Sequence, residues 1–198
     1  MNIDKELAFE RLKKSLDTYK ILSNETWEDF KNICTFLHIK KNESICKINE
    51  KPKGFHFVSA GLFRTYILNE KGVEYNKNFF NENMFPGSMV ALLTNETSCF
   101  EIEALEDSQV IFIDFKKYRE LLLKYEDLKL FHIYYLEKNW VIHKDGREVD
   151  IVQKDADERY EDFEQNYPEL SKRLTQYHIA SHLGITPTQL SRIRKKRI

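Results

Sequence analysis

Thr186, Thr188, Gln189, Ser191, Arg192, Arg194, Lys195 and Lys196 crowd into residues 186–196. That mixture suits one chemistry. Guanidinium and ammonium groups neutralise phosphates, while amide, hydroxyl and guanidinium groups hydrogen-bond to base edges in a DNA groove. Arg192 carries the fork that matches guanine, and Gln189 the amide that matches adenine if capping leaves it free. Arg194, Lys195, Lys196 and the following Arg197 suit phosphate contacts.

Other chemistries lack their residues. Cys34, Cys46 and Cys99 are widely spaced with no C-x-x-C pair, so neither structural zinc nor an iron–sulfur cluster is expected. Among the six histidines only His178 and His182 share the i, i+4 spacing that places two imidazoles on one helix face, and no third ligand stands near them in sequence. No G-x-G-x-x-G, P-loop or G-x-S-x-G is present. A metal-dependent enzyme on a β-barrel would need clustered histidines and a carboxylate, and the segment that reads as a barrel offers only His38 and His56. The expectation is a protein that is not an enzyme, with no metal and no cofactor.

The elements that must hold the basic residues are legible. In Gln176–Lys195 a helix-turn-helix needs a small residue at the fifth place, filled by Ala180, and a glycine at the ninth, filled by Gly184. Its small core needs apolar residues where Ile179, Leu183, Ile185, Leu190 and Ile193 stand. Thr186 as N-cap, Pro187 at the first helical position and Gln189 as the capping-box partner fix where the second helix starts. That start decides which side chains face outward, and the N-terminal part of such a helix reads the major groove.

Upstream, the hydrophobic period changes twice. Ile3–Tyr19 reads as a helix with Leu7, Phe9, Leu12 and Leu16 at helical spacing, and a second begins at the N-cap Ser23 with Trp27, Phe30 and Ile33 inward. From Thr35 to Asp114 short strands alternate with turns: Phe36–Ile39, Ser44–Ile48, Phe55–Val58, Leu62–Leu68, Val73–Phe80, Phe100–Ala104 and Gln109–Ile113. Such a series makes a sandwich or small barrel. Met84–Leu93 reads as a loop and a short helix. Phe115–Lys124 is helical, and a longer helix runs from Glu126 towards Gly146. Its segment Leu128–Leu136 is apolar on more than one face and needs cover on two sides, which the β-domain and a partner subunit can supply, the other reading being a helix buried inside a monomer. Glu148–Glu169 holds nine acidic residues with only Lys154 and Arg159, and reads as a solvated helix with Tyr160 and Phe163 inward, ended by Tyr167-Pro168.

The charge follows this order. The 198 residues are 41% hydrophobic and 13% aromatic, enough for a packed core, with a formal net charge of −1. Ser171–Ile198 contributes seven positive charges and no acid, leaving −8 on the first 170 residues. An acidic body with a basic end suggests a polyanion partner. No apolar run approaches the roughly 20 residues that span a bilayer, and the N-terminus lacks a signal-peptide core, so a cytoplasmic protein without membrane contact is expected.

With a β-domain, a long helix and this terminal motif, the sequence resembles the Crp/Fnr family of transcriptional regulators over nearly its whole length. The resemblance is strongest at Gly54-Phe-His-Phe-Val-Ser-Ala-Gly61 with Arg64, and over Leu174–Lys196, whose end is similar to members typical of Bacteroidetes-type bacteria. It implies an α+β chain: an N-terminal jelly roll of the cyclic-nucleotide-binding kind with flanking helices (1–125), a long dimerisation helix and hinge (126–150), and an all-α helix-turn-helix domain (151–198). Of the family's base-reading positions one arginine falls on Arg192, while Pro187 and Thr188 occupy the others.

Two departures matter. Cyclic-nucleotide-binding members hold the ribose with a glutamate and the phosphate with an arginine. The corresponding stretches here are Gly87-Ser88-Met89 and Ser98-Cys99-Phe100, so both positions are serine. Burying a phosphate without a cation is costly, and cAMP is not expected to bind in the usual way. Arg64, Gly87, Ser88, Ser98 and Cys99 remain candidates for the pocket of another small molecule, unless Phe100 and its neighbours fill it. The family also places a β-hairpin wing after the recognition helix, whereas this sequence, lacking the wing, stops at Ile198: either the wing is natively missing or the sequence is shortened. The expected partners are double-stranded DNA and a second copy of the chain, with RNA polymerase a further candidate. The alternative is a small-molecule or cyclic-nucleotide sensor that binds DNA weakly for want of the wing.

Overall fold

The computed structural model describes residues 3–70, 72–142 and 153–196. Helix α1 (Lys5–Asp17) starts where the Asp4 carboxylate accepts from the Leu7 amide, and α2 (Asn24–Asn32) where Ser23 caps Thr26. Seven strands follow: β1 (Cys34–Ile39), β2 (Ser44–Cys46), β3 (Gly54–Ala60), β4 (Phe63–Leu68), β5 (Glu74–Phe80), β6 (Glu101–Ala104) and β7 (Ser108–Asp114). Helix α3 (Met89–Thr94) interrupts them. The strands form two antiparallel sheets, ordered β1-β7-β3 and β2-β6-β4-β5.

Strand alternation sorts the side chains into layers. Val58, Phe63, Ile102, Ala104 and Val110 are buried between the sheets with Phe80 and Phe100 against them. Phe55, Phe57, Ile111 and Ile113 face the other way and join α1, α2, α4 (Phe115–Lys124) and α5 (Glu126–Leu136) in a second, aromatic-rich core. A bulge between Val58 and Ala60 switches the phase of β3, which puts Ala60 in that outer core. Asn83 and Met84 pair with Val58, and Pro86 accepts from the His56 amide, so the loop before α3 covers the free edge of β3. Gly87 permits this approach, since a Cβ there would lie 2.6 Å from the Phe55 Cβ.

The long helix begins at Glu126 as expected. Leu128 and Phe131 turn into the aromatic core, and α5 continues as π-helical turns over Glu137–Ile142. Ile133, Tyr134, Trp140, Val141 and Ile142 are exposed on it. The rest of the expected helix, to Gly146, lies outside the described residues.

The C-terminal helices are α6 (Ala156–Asn166), α7 (Pro168–Arg173), α8 (Gln176–Leu183) and α9 (Pro187–Lys195). Tyr160 and Phe163 are buried, as the acidic segment implied. Pro168 does more than stop a helix: it occupies the start of α7, where a missing N–H costs nothing. Leu62 and Phe79 of the roll share one buried cluster with Tyr160, Phe163, Leu170, Leu174, Ile179 and their neighbours, so the C-terminal helices pack directly on the second sheet.

Candidate nucleic-acid interface

The turn between α8 and α9 is built as the motif requires. Gly184 takes the left-handed conformation at φ 69°, and the Ile185 amide donates to Ala180 O at 3.0 Å, closing α8. Ala180 and Leu190 are fully buried, with Ile179, Leu183 and Ile193 nearly so; Ile185 is half-buried. Arg159 on α6 ties the unit together, donating to Lys154 O at 2.6 Å and to Leu183 O at 3.2 Å.

A capping box fixes the start of α9. The Gln189 amide donates to Thr186 Oγ1 at 3.2 Å, and the Thr186 amide to Gln189 Oε1 at 2.8 Å. The Thr186 hydroxyl donates to the same Oε1 at 3.0 Å. This decides the condition placed on Gln189. Adenine needs a donor and an acceptor from one amide, and here the acceptor already serves the cap, leaving Nε2 to donate.

Thr186, Thr188, Gln189, Arg192, Arg194, Lys195 and Lys196 are exposed, and Ser191 is half-buried. Lys196 pairs with Asp157 of α6 at 3.4 Å. Among the described residues no carboxylate pairs with Arg192, Arg194 or Lys195, so three cations stand free on the outer face of α9. Arg197 lies outside the described residues.

The candidate pocket residues divide. Ser88 and Ser98 are both 1% exposed and their hydroxyls meet at 3.0 Å. Ser98 backbone groups pair with Asn49 and Glu50, Gly87 packs on Phe55, and Cys99 is exposed. Arg64 serves another place. Alternation along β4 turns Phe63 into the roll and Arg64 out of it, where it pairs with Glu74 and with Glu103, its cross-strand neighbour on β6, and stacks at 4.1 Å on the Tyr66 ring. These bonds hold the guanidinium more basic than usual against the cost of its burial. Arg64 thus lies on the face that the C-terminal helices cover, next to Asn76. A cleft of about 650 Å³ opens instead between α3 and the start of α4, over Ala91, Leu92 and Phe115.

The histidine pair is placed on the same covered face. His182 Nδ1 reaches Asn76 O at 2.9 Å, and His178 Nδ1 lies 3.4 Å from the Asn76 side-chain amide. Among the described residues no group of His, Cys, Asp or Glu could hold a metal, and no helix is long and apolar enough to cross a membrane.

Residues 36–125 match the cyclic nucleotide-binding domain family. No curated protein matches the sequence. The fold is that of several solved regulators. A chain from Eubacterium rectale described as a Crp/Fnr-family transcriptional regulator is 20% identical with TM-score 0.63, the match covering 88% of this chain and 83% of that one. FixK2 from Bradyrhizobium japonicum gives 19% and 0.66 over 83% of this chain and 84% of its own. The c-di-GMP-responsive global regulator CLP of Xanthomonas campestris gives 14% and 0.67 over 88% and 91%.

Proposed function

We propose that this chain is a DNA-binding transcriptional regulator of the Crp/Fnr type, a homodimer joined along α5, whose cyclic-nucleotide-binding-like roll does not take cAMP through the usual cassette. The observation that carries the reading is the outer face of α9: a helix whose start is pinned by a capping box presents Thr188, Arg192, Arg194 and Lys195 to solvent, with no carboxylate among the described residues paired to the three cations. Exposed cations on a rigid helix are what phosphates and guanine edges recognise. Support for the dimer comes from Ile133, Tyr134, Trp140, Val141 and Ile142, an apolar stretch left open on the long helix. A two-fold dimer would set two recognition helices against half-sites about one helical turn apart.

A mobility-shift assay with DNA selected from a random pool tests this across a salt series. With Arg192 set at a guanine, Arg194 and Lys195 of each subunit make about four phosphate contacts in a dimer, so affinity should fall on the order of 10²-fold between 50 and 200 mM salt. Affinity that scarcely responds to salt would overturn the reading.

A further inference from the structure

Strand β5 is the outer strand of its sheet, and its exposed polar edge is covered by a helix. The Asn76 amide donates to Ser181 Oγ at 3.0 Å, and the Asn76 carbonyl faces His182 Nδ1 at 2.9 Å. Its side-chain amide donates to His178 O at 3.2 Å and meets His178 Nδ1 at 3.4 Å. The Ser181 hydroxyl in turn donates to Glu74 O at 2.9 Å. Helix α8 therefore supplies side chains where another strand would supply backbone, and Asn76 is fully buried beneath it.

These bonds set the proton count on one imidazole. The Asn76 Nδ2 group only donates, so His178 Nδ1 must carry a lone pair to meet it. His182 differs, because its Nδ1 faces a carbonyl and donates whether the ring is neutral or charged. The groups around His178 are Arg64 on β4, Glu74 on β5 and Lys41 in the β1–β2 turn, with the Tyr177 ring and His182 on its own helix. Glu74 and Glu103 on β6 are already engaged by Arg64.

We propose that the β5 edge is the dock of the helix-turn-helix unit and that His178 is its proton-sensitive pin: a proton on the imidazole sets two donors face to face, adds a cation beside Arg64, and releases α8 from Asn76. Burial first, then Arg64 and Lys41, make His178 less basic in the docked form than in water. A group that binds its proton better when undocked holds the dock closed above about pH 6.5 and opens it as the pH falls below. Acid then frees the recognition helix from the placement the roll imposes. That consequence for DNA rests on the regulator reading, whereas the dock itself does not.

Hydrogen exchange at the Asn76 amide in the full chain reads the dock directly, with Val110 in the middle of β7 as an internal reference. After correction for intrinsic exchange, opening at Asn76 relative to Val110 should rise more than twofold between pH 7.5 and 5.5, with a ceiling of about tenfold set by the ordinary histidine pKa. In His178→Gln, which keeps a side-chain acceptor and cannot gain the proton, the ratio should change by less than about twofold. His178→Ala, with folding checked by its melt at pH 7.5, should open more at both pH values and respond equally little to acid. An acid response absent from the wild type, or retained in both variants, would overturn the proposal whether or not the chain binds DNA.

Discussion

The hydroxyls of Ser88 and Ser98 hydrogen-bond to each other across 3.0 Å, each side chain buried, and Ser98 Oγ also lies 2.7 Å from the Phe100 carbonyl. Two short neutral groups thus satisfy one another at the positions where the resemblance to cyclic-nucleotide-binding members implies a glutamate and an arginine.

Calorimetric titration with cAMP is expected to show no binding. The cyclic phosphate would lose water and gain no cation at Ser98, and Arg64 is committed to Glu74 and Glu103. A micromolar dissociation constant would show that another cation reaches the phosphate.

Arg173 holds the end of α7 to the roll. It meets Glu82 at 2.8 and 3.1 Å and pairs with Glu106 as well, while Glu82 also accepts from the Gly61 amide at 2.8 Å. These side chains keep roughly a third of their exposure, so a surface-like magnitude applies. A double-mutant cycle of Arg173→Ala with Glu82→Gln, read by urea melts, should give a coupling of about 0.5–1 kcal/mol that shrinks at high salt. Zero coupling at low salt would remove the clamp from the account.

His56 gives a pH prediction of defined sign. It is buried on β3 beside the Phe112 ring, and burial pushes its pKa down to about 4 from 6.5. The folded state disfavours the proton that the unfolded chain takes up, so this contribution is complete above pH 6.5 and is lost as the pH falls towards 4. The loss amounts to roughly 3 kcal/mol over that window. Stability of His56→Leu, followed by denaturant melts from pH 7.5 to 4, should fall less steeply than that of the wild type by about this amount. Parallel pH profiles would refute the assignment.

The pair of helices α8 and α9 is legible because its signals are local in sequence. Ala180, Gly184 and the five apolar positions recur within twenty residues, although their burial also draws on Leu62 and Phe79, and Thr186, Pro187 and Gln189 announce the start of α9 by their own chemistry. The strands are legible for a related reason, since turn residues such as Pro52-Lys53-Gly54 and Gly61 bound them. What local pattern does not carry is the partner across the fold. Arg64 looks like a pocket residue until Phe63 is known to face inward, and the bonds from Asn76 to His178, Ser181 and His182 span about a hundred positions. A periodicity has no means of signalling them. The alternation in β4 is the one clue available, because it sets an arginine on the face opposite the core phenylalanine. The occupied acceptor of Gln189 is a subtler case: the sequence shows both the cap and the base-reading candidate, and the geometry decides between them.

The cover on β5 has a consequence for anyone who cuts the chain in two. A fragment ending after α5 would bare Leu62, Phe79 and a row of unpaired amides and carbonyls on an outer strand. Such a rim is a template for adding a foreign strand, so the isolated roll should be sticky, prone to self-association through β5 and poorly soluble. The C-terminal helices thus double as a guard against aggregation of the domain that carries them.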